Sequence, residues 1–173
     1  ASDVYKRQAK KYSVAVSFGY YELCGEAIYS SYMFIGKNGE IVNNFRRVSK
    51  GWKEYDITDE HYKEGDGFKT FTYMGKRIAL AVCGDLWYEE NIEQINKEKF
   101  DFLLYPVYVT YNTEMWRTKL VNEYAEQAKK IPRPVFLVNS ICDADNTRGG
   151  CYAFLNGKTV CEVPMGEDGY LLV

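Results

Sequence analysis

Lys76-Arg77-Ile78-Ala79-Leu80-Ala81-Val82-Cys83-Gly84-Asp85-Leu86-Trp87-Tyr88-Glu89-Glu90 passes from an unbroken apolar run, through a cysteine and a glycine, into an acidic, helix-forming segment. Ile78 to Val82 has the pattern of a strand buried on both faces. Gly84 can turn the chain sharply without a Cβ penalty. From Asp85 onward Tyr88, Ile92 and Ile95 recur at i, i+4 and i+7, one face of a helix. Strand, cysteine, tight turn and helix start put a thiol where open α/β sheets hold their sites, with unpaired N–H groups and the positive helix end favouring a thiolate. Taken alone, such a cysteine would be a small buried hydrophobe.

Working outward, Phe68 to Tyr73 and Lys76 to Val82 flank Met74-Gly75 as a hairpin. Beyond the helix of Tyr88 to Lys97, Phe100 to Tyr105 reads as another buried strand, ended by Pro106. Together they form a right-handed βαβ unit. Trp116, Leu120, Tyr124 and Ala128 recur every four residues as the buried stripe of a helix, stopped by Pro132 and Pro134. Val135 to Val138 is the next strand. Ser140 to Gly150 reads as a loop, and Cys151 to Leu155 pairs with Lys158 to Val163 around Asn156-Gly157.

Upstream, Tyr12 to Phe18 alternates like a strand after a helix tail at 9–11, and Gly19 to Gly25 reads as a polar turn region. Ala27 to Ile35 and Glu40 to Val48 flank Lys37-Asn38-Gly39, a strong hairpin signal. Tyr55 to Gly67 is polar and irregular. Asp3 to Gln8 matches what one frame of a sequencing-library transposon end encodes, so residues 1–8 read as a cloning or sequencing scar and 9–173 as one partial domain. Tyr170 to Val173 reads as a strand cut through its middle.

The chain has 173 residues, 46% of them hydrophobic and 27% charged, enough for an ordinary globular core. A net charge of −2 makes no electrostatic case for nucleic acid or an anionic membrane, and no apolar run is long enough to span a bilayer. Five cysteines without a C-x-x-C, beside the single His61, argue against a zinc site or a disulfide scaffold. A cytoplasmic location is therefore expected, and any cysteine chemistry needs a base other than histidine. Asp85 reads as a helix N-cap, and His61 as a surface loop residue.

The segment Arg77 to Glu89, followed by Phe102-Leu103-Leu104-Tyr105-Pro106, resembles the carbon–nitrogen hydrolase (nitrilase) superfamily. Ile28 to Ser31, Gly39-Glu40-Ile41 and Phe45-Arg46-Arg47 are similar to its hairpin and basic motif. Trp116, Glu123 to Ala128, Val135 to Asn139 and Gly149-Gly150-Cys151 keep its order downstream. The resemblance implies an α/β fold, a mixed-sheet αββα sandwich dimerised through its helices, here incomplete. It implies hydrolysis of an amide, carbamoyl or nitrile carbon–nitrogen bond in a small molecule through a cysteine thioester, with no cofactor and no metal.

Within that resemblance Cys83 matches the nucleophile and the Gly84 N–H an oxyanion donor. Glu54, seven residues beyond Arg47, matches the positioning glutamate. Arg47 stands where the family has its lysine, with Lys50 and Lys53 close by, and the choice among the three stays open. The general base, a first glutamate, is implied ahead of Ala9, so the piece alone is expected to be inactive. Two rival readings remain: a glutaminase-type module supplying ammonia to a synthetase, and a non-catalytic scaffold that keeps the fold, suggested by arginine at the lysine position.

Overall fold

The computed structural model describes residues 2–53, 58–143 and 147–172. They form two compact units, residues 1–67 with 71–75, and residues 68–70 with 76–173. No described helix is long and apolar enough to cross a membrane.

In the first unit, helix α1 (Ser2–Tyr12) runs unbroken through Asp3 to Gln8, and Tyr5 packs on Phe18 with ring centroids 4.2 Å apart. Strands β1 (Val16–Cys24), β2 (Ala27–Ile35) and β3 (Ile41–Arg46) form an antiparallel meander. The two-residue strand β4 (Tyr62–Lys63) lies parallel to β2 at Ile28–Tyr29, so the 55–67 segment is not wholly irregular. β5 (Phe71–Tyr73) brings Phe71 and Tyr73 against Phe34. The expected hairpin at Lys37-Asn38-Gly39 is present. Gly39 has φ +84°, and a Cβ there would stand 2.8 Å from the Lys6 carbonyl oxygen, so both backbone and space demand glycine.

The expected turn over Gly19 to Gly25 is instead strand as far as Cys24, with only Gly25 and Glu26 left to reverse the chain. A charge three strands wide explains the difference. Glu22 accepts hydrogen bonds from Ser31 Oγ (2.7 Å), Asn44 Nδ2 (3.0 Å) and both Nε and Nη2 of Arg46 (3.0 and 2.7 Å). Arg46 is therefore no solvated strand end. Its guanidinium also lies 3.9 Å from the Tyr29 ring centroid.

The Arg46 hydrogen bonds, helped by Ser31 and Asn44, outweigh desolvation and hold the Glu22 carboxyl down at about 2. A depressed carboxylate contributes stability above its unfolded value of 4.5, lost as pH falls toward 2. Urea unfolding is expected to lose at most about 3 kcal/mol across that window from this group, and Glu22→Gln should flatten the slope. An unchanged slope in the variant would contradict the assignment.

In the second unit the sheet order is β12–β11–β8–β7–β6, from β6 (Lys76–Leu80), β7 (Phe102–Val107), β8 (Val135–Asn139), β11 (Cys151–Leu155) and β12 (Lys158–Val163). β6, β7 and β8 are parallel and β11 and β12 antiparallel, the mixed sheet expected from alternating βαβ and hairpin signals. Asn156 and Gly157 take φ 51° and 76° at the β11–β12 turn, as the Asn-Gly signal requires. Between β8 and β11, the short pair β9 (Ile141–Cys142) and β10 (Thr147–Arg148) occupies part of the expected loop.

β7 continues through Pro106 to Val107 rather than ending there. Pairing with β6 stops at Leu104, so the missing proline N–H breaks no bond on that side. Residues 170–172 carry no strand, contrary to the expected one.

Helix α2 (Glu89–Lys97) buries Ile92 and Ile95, whereas Tyr88 sits at its N-cap and is 40% exposed. The next helical stretch joins α3 (Thr113–Met115), a π-helical segment Trp116–Leu120 and α4 (Val121–Ala128). In a pure α-helix a spacing of four drifts round the axis. The wider π turn offsets that drift, so Trp116, Leu120, Tyr124 and Ala128 all stay buried against Leu103, Tyr105, Leu137 and Phe154.

Candidate active site

Cys83 stands just beyond the carboxyl end of β6, half-buried, and is itself in the left-handed region with φ 49°. Gly84 was expected to make this bend, but its φ is not positive. A left-handed non-glycine residue costs on the order of 1–2 kcal/mol and persists only when its surroundings impose it. The segment that follows is a 3₁₀ helix, Cys83–Trp87, and α2 begins only at Glu89. The macrodipole of a long helix therefore does not start at the cysteine, and that expected source of thiolate stabilisation is absent.

Two groups impose the bend. Asp85 is fully buried, and its Oδ2 accepts the Val82 N–H at 2.8 Å, while its own N–H donates to the Val82 carbonyl at 3.0 Å. It closes the turn backward on the strand, rather than capping α2 as expected. Asn91 Nδ2 donates to the Asp85 carbonyl at 3.0 Å, tying α2 to the turn. The second group is Tyr105 on β7, whose hydroxyl donates to the Cys83 carbonyl at 2.6 Å.

Burial first, then the neighbouring Tyr124 and Cys83, push the Tyr105 phenol well above its ordinary range. Burial, then Cys83, does the same to Tyr124. Both are protonated donors at any working pH. Tyr124 also meets the Trp87 ring edge-on at 5.2 Å.

The sequence offered Tyr105 as a strand residue before a proline and Tyr124 as helix stripe. The approach of Tyr105 to Cys83 follows from the parallel β6–β7 register, which no local pattern encodes. The cleft bordered by Trp116, Arg117, Tyr152, Glu162 and Met165 does not include Cys83.

The cation candidates belong to the first unit. Arg47 is 8% exposed, just past β3, with Nε donating to Ser49 Oγ at 2.8 Å. Its backbone is held by the Ser30 carbonyl and the Gly65 N–H, each at 2.8 Å. Lys53 Nζ reaches Glu64 Oε1 at 2.6 Å and the Tyr62 carbonyl at 3.1 Å. Lys50 is exposed. Glu54 lies outside the described residues. His61 is exposed, with Nδ1 2.9 Å from Asp59, as expected of a loop residue. Among the described residues no cluster of His, Cys, Asp and Glu could hold a metal ion.

A model of the family described as carbon-nitrogen hydrolase matches residues 3–173. Among solved structures, a carbon-nitrogen hydrolase from Helicobacter pylori is similar with a TM-score of 0.77 and 17% identity, over 96% of this chain and 63% of that one. An amidase from Nesterenkonia sp. AN1, a mutant bearing acrylamide at its active-site cysteine, gives a TM-score of 0.71 at 12% identity, over 95% and 64%. These likenesses show the mixed α/β fold of the nitrilase type. A citrullinase from Francisella tularensis is 26% identical over 108 residues, 60% of this chain and 36% of that protein. The chain thus spans just over a third of that curated relative and under two thirds of these two solved structures.

Proposed function

Because the chain belongs to the carbon–nitrogen hydrolase family, we propose that the whole protein hydrolyses a small amide, carbamoyl compound or nitrile through a thioester on Cys83. The observation that carries this reading is the strained bend. A left-handed cysteine at the end of a parallel strand, braced by buried Asp85 and Tyr105, is costly to hold for packing alone.

With an amide, a carboxylate base takes the thiol proton and Cys83 Sγ bonds to the carbonyl carbon, whose π electrons move to oxygen. The Gly84 N–H, one of the donors that the start of a helical turn leaves without an intrahelical partner, would meet that oxyanion. The carbon–nitrogen bond then breaks as the base returns its proton to the leaving amine, and water cleaves the thioester to acid and free thiol. The base is the carboxylate that the family pattern puts ahead of Ala9, and Glu54 orients the site.

For the cation Arg47 is the better candidate. Its charge is already buried, with only Ser49 as side-chain partner among the described residues, while Lys53 is engaged by Glu64 and Lys50 faces solvent. A fixed guanidinium can stabilise an oxyanion without exchanging a proton. None of the five cysteines is joined in a disulfide, which suits a reducing, cytoplasmic compartment.

Limiting iodoacetamide on the full-length protein, read by peptide mass, should alkylate Cys83 at least about tenfold faster than Cys142 or Cys151. Turnover of a panel of small amides should fall about 10²-fold in Arg47→Met and within about twofold in Lys50→Met. A Cys83 no faster than the other thiols, with no amide consumed, would leave the scaffold reading in its place.

A further inference from the structure

We infer that Tyr105 is a positioning residue for the oxyanion donor: its hydroxyl fixes the Cys83–Gly84 peptide plane and so aims the Gly84 N–H. The inference rests on the hydrolase reading for its consequence, but its geometry stands without it.

The argument is covalent first. The Cys83 carbonyl and the Gly84 N–H belong to one planar trans peptide, so they point in opposite directions and cannot turn independently. Whatever holds the oxygen therefore sets the direction of the hydrogen. Tyr105 holds it at 2.6 Å from a fully buried strand position, the most rigid kind of support the sheet provides. Without such a hold, a residue at φ 49° could relax toward the ordinary right-handed or extended regions and carry the plane with it.

A carbonyl that accepts a hydrogen bond also makes its own amide N–H a better donor, so the Tyr105 hydroxyl strengthens as well as aims the group that would meet the oxyanion. Tyr105 does not touch the reacting atoms in this arrangement; it acts through the peptide.

Tyr105→Phe tests this, since it keeps the ring and removes only the hydroxyl. In the full-length protein kcat for an amide should fall about 10- to 30-fold with KM within about twofold, the mark of an interaction made in the transition state. Iodoacetamide alkylation of Cys83, which needs the sulfur but no oxyanion donor, should stay within about threefold. Deuterium exchange over residues 82–88 should quicken by at least about tenfold.

Unchanged exchange in Tyr105→Phe overturns the pin. Quickened exchange with unchanged kcat overturns its part in the reaction, as does an equal fall in kcat and alkylation, which would mean a collapsed bend. If the unmodified protein consumes no amide, the hydrolase reading fails by itself while the exchange data still decide the pin.

Discussion

Cys83→Ala is expected to abolish amide turnover, by at least about 10⁴-fold, and to abolish the mass increase of a trapped acyl or alkyl adduct. Alanine keeps the Cβ and the left-handed strain at φ 49°, so the fold should hold and its melting temperature should move by only a few degrees. That makes the loss chemical. Cys151 and Cys161 do not take its place: they lie in the β11–β12 hairpin, and burial pushes the Cys151 thiol up, away from the reactive anion. Residual turnover above one hundredth of the original would remove Cys83 from the reaction. Intact-mass measurement beside the kinetic assay distinguishes a dead nucleophile from a misfolded chain.

The second large effect is on stability. Asp85→Ala should cost about 2–4 kcal/mol, because it strips the acceptor from the Val82 N–H and leaves a hole in fully buried surroundings. For a chain of this size that corresponds to a melting temperature lower by roughly 5–15 °C, read by differential scanning calorimetry. Asp85→Asn retains an oxygen for Val82 and should lose less than half as much. Equal melting of the two variants would show that the carboxylate does not brace the turn.

Local pattern carried most of the elements. The run from Ile78, the Asn156-Gly157 turn and the four-residue stripe from Trp116 to Ala128 each state their structure within a dozen residues, and each is present, though the strand stops at Leu80, two residues before Val82. What escaped depended on distant partners. Gly19 to Cys24 looked like a turn because Glu22 meets Arg46 only after two reversals of the chain. The site was legible as a cysteine, but the bend was assigned to the wrong residue. Gly84 has the freer backbone, yet the Tyr105 hydroxyl and the Asp85 carboxylate place the distortion on Cys83. The Asp85 contact is local, but the Tyr105 contact does not exist until β6 and β7 lie side by side.

The π segment at Trp116–Leu120 bears on how this chain is lined up with others. It accommodates a supernumerary residue, so a relative whose corresponding helix is wholly α would be one position shorter between Asn112 and Ala128. A gap belongs inside 116–120 in such a comparison. Placed anywhere else, it would rotate the intervening residues by about 100° round the axis and match buried positions with wet ones.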